Sequence, residues 1–328
     1  MKLSYPVQLA TYAMQQGIQE EPAFAWWVSY TVKKKKAILS KVKSKYWQRT
    51  HKYGIRIPKS VREAYEIDRE NNNTYWHDAI QQEMPKIINS VEEFDGKIED
   101  LIGYQQITGH IIFDVKFSEN FRRKARYVAD GHKTRTPTSI TYSTVVARDS
   151  VRICLTIAAL NELEILAADV ENAYLTAPCK EKVWIRAGPE FGTMEGKVLI
   201  IRKALYGLKS SGASFRAFLA EQLDDIGFKS SIADPDVWMR PAVKQDGERY
   251  YEYMLCYVDD ILCISQDPRR PMAEIGSRLK FKKNKVEPPE FYLEAKLAQK
   301  YINEKPVWTM TSFDYIKSSI TNLEEQLK

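Results

Sequence analysis

Long apolar runs are missing from this chain of 328 residues. None approaches the roughly 18 consecutive apolar residues that a membrane-spanning helix requires, and the opening MKLSYPVQLATYAM has no continuous apolar core of the kind that directs secretion. Cysteine and histidine are scarce. Cys154, Cys179, Cys256 and Cys263 form no CxxC pair, and His51, His77, His110 and His132 show no HxxxH spacing. A disulfide framework and a structural zinc site are therefore poor organising principles, and a soluble intracellular protein is the expectation. Internal repeats and low-complexity tracts are also absent. What remains is an ordinary globular composition, 44% hydrophobic and 12% aromatic, in a chain long enough for two or three subdomains.

Acidic residues are missing from two particular stretches. Residues 31–62 carry twelve Lys or Arg and no Asp or Glu, so the net charge of +6 is the balance of a +12 segment and a −6 remainder. Tyr30, Tyr46, Trp47 and Tyr53 are interleaved there, a mixture suited to phosphate attraction and base stacking, with a solvated linker or nuclear-import signal as the alternative. Arg278, Lys280, Lys282, Lys283 and Lys285 form a second acid-free strip.

The most informative stretch is Tyr253 to Ile264, YMLCYVDDILCI: six apolar or aromatic residues, two aspartates and four more apolar residues. Two short apolar runs separated by two residues read as a β-hairpin with Asp259 and Asp260 at its tip. Adjacent carboxylates among so many apolar neighbours are costly unless a cation compensates them. An oxygen-only site favours Mg2+ (or Mn2+) and phosphoryl chemistry; a solvated surface turn is the plainer alternative. A pair of ions needs carboxylates from more than one segment, which draws attention to Asp169 at the end of the strand Ile165–Ala168.

Several other elements can be placed. Trp76, Ala79, Ile80 and Met84 recur at helical spacing and read as core, with Pro85 as a helix end or kink. The run Arg122–Val128 reads as a strand whose period of two puts Lys124 and Arg126 on one face, suited to a triphosphate or nucleic-acid backbone. Helices are expected at 150–160, capped by Asp149 or Ser150, at 213–226 ending on Gly227, and at 313–328. Short strands are expected at 183–187, 198–202 and from Phe291. Gly207 and Gly212 in the approach to the 213–226 helix serve either a turn or close approach of a ligand.

Together these residues form an ordered set. Trp76 with Ala79 and Glu83, RRKARYVADG (122–131), DVENAYL (169–175), RKALYGLK (202–209), GFKSSIADPDVW (227–238) and YVDDIL (257–262) occur in the order found in the reverse transcriptases of copia-type (Ty1/copia, pseudovirus) retrotransposons, which the chain resembles from about residue 70 onwards. The resemblance implies an α+β polymerase right hand, with fingers and an antiparallel palm sheet backed by helices. It implies a basic extension or inter-domain linker over 1–70, fingers and palm over 71–270, and a primer-grip, thumb-like or connection segment over 271–328. The whole is expected to be one part of a longer polyprotein. The implied activity is RNA-directed DNA polymerisation by two-metal nucleotidyl transfer. Asp169 and Asp259 are the implied metal ligands, with Asp260 in the neighbouring catalytic position. Lys124, Arg126 and Tyr174 would bind the dNTP, Tyr174 lying beneath the sugar, and Gly207, Lys209, Lys282 and Lys283 would meet template and primer. Implied partners are an RNA template, a DNA primer or template, dNTPs and other Gag and Pol products, in cytoplasmic virus-like particles and in the nucleus. Three departures stand out: Ser210-Ser211-Gly212 replaces Gln-Ala-Pro, Tyr174 replaces a frequent Phe, and Leu293-Glu294 replaces the Leu-Gly of the primer-gripping turn, setting a carboxylate where primer phosphate would pass. The alternative reading is a catalytically inactive nucleic-acid-binding remnant of the same polyprotein.

Overall fold

The computed structural model describes residues 50–116, 119–135, 137, 140–293, 295–303, 305–313, 316–317 and 319–320. Most of the basic 31–62 stretch, Glu294 and most of the expected 313–328 helix lie outside the described residues. The chain divides into two units, Met1–Pro58 and Lys59–Lys328. In the first, β1 (His51–Lys52) pairs antiparallel with β2 (Ile55–Arg56). Tyr53 and Gly54 between them both have positive φ (53° and 74°), as a tight two-residue hairpin of type I′ demands.

The second unit opens with α1 (Val61–Glu70), where the Ser60 hydroxyl accepts the Glu63 N–H at 3.2 Å, and α2 (Tyr75–Ile88). The buried Asp68 carboxylate accepts the N–H groups of Trp76 and His77 (3.1 and 2.8 Å) and satisfies the start of α2 from a distance. Pro85 does not end this helix. It removes one N–H, but Met84 and Ile87 on either side are buried and α2 continues to Ile88. There follow β3 (Val91–Glu93), β4 (Gln105–Ile107), β5 (Gly109–Lys116) and β6 (Arg122–Ala129). Next come α3 (Arg148–Leu160), β7 (Glu164–Asp169), the single turn α4 (Ala173–Thr176), β8 (Val183–Arg186), β9 (Val198–Ile201) and α5 (Ser211–Asp225). The remainder comprises β10 (Lys229–Ser230), β11 (Val237–Val243), β12 (Arg249–Tyr257), β13 (Asp260–Ser265), α6 (Arg269–Gly276), β14 (Phe291–Tyr292), β15 (Ala295–Ile302) and β16 (Lys305–Thr311).

The central sheet has the order β10-β11-β12-β13-β7, with every neighbouring pair antiparallel. Its inner segments, 253–256 of β12, 261–264 of β13 and 165–168 of β7, are apolar without alternation because both faces are covered there. Leu166, Ala168, Met254, Cys256, Ile261 and Cys263 pack on Phe215, Leu219 and Leu223 of α5 and on Met272 and Ile275 of α6. The opposite face, Ile165, Tyr253, Leu255, Leu262 and Ile264, packs on Val151, Cys154, Leu155 and Ala158 of α3 and on Tyr292 and Leu297. The expected α+β character holds: antiparallel sheets with helices against them. A second sheet, β3-β9-β8-β4, contains one parallel pair, β4 with β8, while β5-β6 and β14-β15-β16 complete the set. No helix among the described residues is long and apolar enough to cross a membrane.

Two helix starts differ from the sequence expectation. Helix α3 begins at Arg148 without a side-chain cap from Asp149 or Ser150; the residue that precedes it, Ala147, is held instead by Asp234, whose carboxylate accepts the Ala147 N–H at 2.9 Å. A partner 87 residues away is invisible to local pattern. Helix α5 starts at Ser211, two residues earlier than expected. Gly227 (φ 87°) follows its end as anticipated.

Candidate active site

The aspartate hairpin closes one residue earlier than the sequence suggests. Tyr257 pairs with Asp260, so the two-residue loop is Val258-Asp259 and Asp260 is the first residue of β13. Val258 takes φ 54°, the left-handed value that a primed hairpin turn needs at its first position. For a β-branched residue this costs about 1–2 kcal/mol, and the sheet on either side holds it there.

Strand register brings the third carboxylate in. Asp169 pairs directly with Asp260 across β7 and β13, and the Val170 N–H donates to the Asp259 carbonyl at 2.7 Å. Directly opposed residues share a sheet face, so Asp169 and Asp260 project together. Burial raises the pKa of Asp260 to about 6, with the charges of Asp259 and Asp169 adding to the shift. Asp259 is also raised, first by burial and then by Asp169, while Lys282 and Arg126 pull it back. These oxygen-only donors in a low-dielectric setting fit a hard divalent cation. Among the described residues no three His, Cys, Asp or Glu side chains yet converge closely enough to grip one. Instead the Lys282 ammonium donates to the Asp169 carboxylate at 2.7 Å.

The cationic strand faces the same cleft. On β6, Ala125, Tyr127 and Ala129 are buried, while Lys124 and Arg126 lie on the other face. Arg126 stacks on the Tyr206 ring, 4.2 Å from its centroid, and Tyr206 packs on Tyr174 with ring centroids 4.9 Å apart. Stacking holds the guanidinium plane in one orientation. Burial lowers the Lys124 pKa, as do the charges of Arg126, Lys116, Lys282 and Arg122. Arg126, Lys124, Tyr206, Asp169, Asp259 and Lys282 line one cavity. Asp169, Asp260, Lys282 and Lys283 line a second groove, which runs toward Pro288, Phe291 and Tyr292. Burial pushes the Tyr174 phenol up, and Asp259 adds to that shift.

Not every predicted site residue joins this group. Gly207 (φ 91°) faces its own chain: a Cβ there would collide with the Ala129 carbonyl and with Val128, and a Cβ on Gly131 would collide with the Gly207 carbonyl. Two loops thus pass with almost no separation, tied by the Ala129 N–H donating to the Tyr206 carbonyl at 2.8 Å. Lys209 donates to the Thr134 carbonyl at 2.5 Å. Thr134 lines a separate cavity with Arg135, Lys180 and Lys182. The unusual Ser210 is buried, and the Glu181 carboxylate accepts both its N–H and its hydroxyl at 2.8 Å. Tyr206 is a site residue that sequence reasoning passed over; its signal was the aromatic inside RKALYGLK.

A family model described as reverse transcriptase (RNA-dependent DNA polymerase) matches residues 101–325. The chain belongs to that family. The copia-type resemblance is borne out by the relatives. The chain is 36% identical over 151 residues to the retrovirus-related Pol polyprotein from transposon RE1 of Arabidopsis thaliana, covering 45% of this chain and 10% of that one. It is 36% identical over 163 residues to the corresponding RE2 polyprotein of the same plant, covering 48% and 11%. It is 37% identical over 107 residues to the transposon Ty1-NL2 Gag-Pol polyprotein of Saccharomyces cerevisiae, covering 31% and 6%. The chain therefore spans about a tenth of the length of its plant relatives. Among solved structures, a foamy viral protease-reverse transcriptase in complex with double-stranded DNA is similar at 13% identity and a TM-score of 0.39, over 70% of this chain and 34% of that one.

Proposed function

We propose that this chain extends a primer on an RNA or DNA template by nucleotidyl transfer, as the polymerase part of a retrotransposon Pol product. The observation that carries the reading is the cleft in which Asp169 and Asp259 face Lys124 and Arg126, since phosphoryl transfer needs anchored anionic donors for cations on one side and fixed positive charge for the triphosphate on the other. In this reading the antiparallel sheet β10-β11-β12-β13-β7 is the palm and β5-β6 belongs to the fingers. Residues 1–70 are a basic extension, 71–270 hold fingers and palm, and 271–328 form the primer-grip or thumb-like segment.

Asp169 and Asp259, with Asp260 beside them, would hold Mg2+ or Mn2+. When bound, these ions supply positive charge at the reacting phosphate and lower the pKa of the primer 3′-hydroxyl. The protein's own residues do the rest. Lys124 and the stacked Arg126 grip the β- and γ-phosphates and hold the α-phosphorus in line with the primer oxygen. The new P–O bond forms as the α–β bridging bond breaks; the hydroxyl proton passes to water and pyrophosphate leaves against the two cations. Tyr174, braced by Tyr206 and Phe215, would sit beneath the sugar and exclude a 2′-hydroxyl. Lys283 and the groove toward Phe291 would receive the primer strand. The natural partners would be the template, primer and dNTPs, together with other Gag and Pol products of the element.

Primer extension on poly(rA)·oligo(dT) with Mg2+ or Mn2+ tests this. The parent chain should extend the primer while Asp259→Asn and Asp169→Asn do not. A parent that binds primer–template in a salt-sensitive way but extends nothing would instead be the inactive nucleic-acid-binding remnant.

A further inference from the structure

The Lys282–Asp169 contact is not explained by folding. Both partners are substantially exposed, at 52% and 35% of their side-chain surface, and an ion pair in that setting contributes little to stability. Its position is unusual. Lys282 lies in a short turn, residues 282–284, whose next residue Lys283 has a left-handed φ of 57°. That turn is anchored before and after: Phe281 bridges Val170 and the Glu171 N–H donates to the Lys280 carbonyl at 2.8 Å ahead of it, and the Ala167 N–H donates to the Glu287 carbonyl at 2.8 Å behind it. The ammonium is therefore presented to the carboxylate by fixed backbone.

We infer that the Lys282 ammonium is a built-in counter-ion that occupies Asp169 until a divalent cation displaces it. This inference rests on the reading of Asp169 as a metal ligand. An ammonium and a divalent cation compete for the same carboxylate lone pairs, and the ammonium also repels the incoming ion. The exchange gives the Asp169 carboxylate a cationic partner in both states. It also releases Lys282 into the cleft that it already lines with Lys124 and Arg126, so metal entry adds a third cation to the surface facing the triphosphate. Lys282 acts here as a positioning residue that sets metal affinity.

The test is binding of Mn2+ to the whole chain, without nucleotide, followed by the paramagnetic signal of free Mn2+ and by calorimetry. Lys282→Gln should tighten Mn2+ roughly five- to tenfold, the scale of losing one exposed ionic competitor and its repulsion. Lys282→Arg, which keeps the charge, should stay close to the parent. Lys283→Gln removes the same charge one residue away, where no contact with Asp169 exists, and should change affinity less than twofold. Unchanged or weaker binding in Lys282→Gln, or equal tightening in Lys283→Gln, overturns the inference while leaving the metal site intact. Mn2+ binding that survives Asp259→Asn removes the metal-site reading itself and the inference with it.

Discussion

Gly207 and Gly247 allow one backbone effect to be separated from one packing effect. Their φ values are almost equal, 91° and 90°, so a side chain at either position meets the same conformational resistance, worth about 1 kcal/mol for Gly→Ala. Their surroundings differ. A Cβ on Gly247 meets nothing within 4 Å, whereas one on Gly207 overlaps the Ala129 carbonyl and Val128 Cγ1. The carbonyl belongs to the buried Ala129, whose own N–H is committed to the Tyr206 carbonyl, so it cannot swing away, and overpacking of this kind adds about 1–3 kcal/mol. Gly207→Ala should therefore cost about 2–4 kcal/mol and Gly247→Ala about 1 kcal/mol, measured by urea unfolding with unchanged m-values. Because Tyr206 is the neighbour that carries Arg126, Gly207→Ala should also weaken binding of a nucleoside triphosphate, and Gly247→Ala should not. Equal stability losses in the two variants would mean that Gly207 is a turn glycine and nothing more.

Three further outcomes follow from particular contacts. Glu252 is 1% exposed and receives Arg240, Arg270 and the Ser265 hydroxyl; Glu252→Ala should cost about 3–5 kcal/mol by leaving Arg240 under-compensated, while Arg62→Ala, which breaks the exposed pair with Glu66, should cost less than about 1 kcal/mol in the same chemical unfolding experiment. Burial pushes the Asp234 carboxyl up, but hydrogen bonds from Ser150, Ala147 and Asp236 and the charge of Arg216 outweigh it and hold the group below its ordinary value. Its stabilisation is thus present above the unfolded carboxyl pKa of about 3.9 and is lost as pH falls through the lower native value; Asp234→Asn should flatten the acid limb of the stability–pH curve, and an unchanged limb would reject the assignment. Tyr174→Ala should admit ribonucleotides in single-nucleotide incorporation, and unchanged sugar discrimination would remove the steric role from Tyr174.

Sequence made some of this site legible and hid the rest for physical reasons. The β12–β13 hairpin was readable because two covered sheet faces impose uninterrupted apolar runs, so two aspartates within them stand out. The loop was still misplaced by one residue: nothing in Val258 advertises a left-handed conformation that neighbouring strands impose. Lys124 and Arg126 were readable from a period of two. The Lys282–Asp169 pair was not, because its members are 113 residues apart and a lysine in a basic strip gives no sign of which lysine turns inward. Glycine at 207 announced an unusual backbone but not its cause, which is a neighbouring carbonyl. Helix α6 escaped notice because Pro268 and Pro271 look like breakers, yet proline is tolerated in a first turn. The hairpin β15–β16 escaped because most of β15 beyond Leu297 is exposed, which leaves little apolar alternation to read.

On the proposed reading, Asp169 and Asp259 would form a cation-dependent polymerising centre. The most direct measurement is incorporation of a single dTMP onto oligo(dT) annealed to poly(rA), stripped of divalent ions with EDTA and then titrated with Mg2+. No product should form in EDTA, product should appear and saturate with Mg2+, and Asp259→Asn should show no recovery at any Mg2+ concentration. Incorporation that persists in EDTA, or that Asp259→Asn retains at the parental level, would rule out a cation held by Asp169 and Asp259.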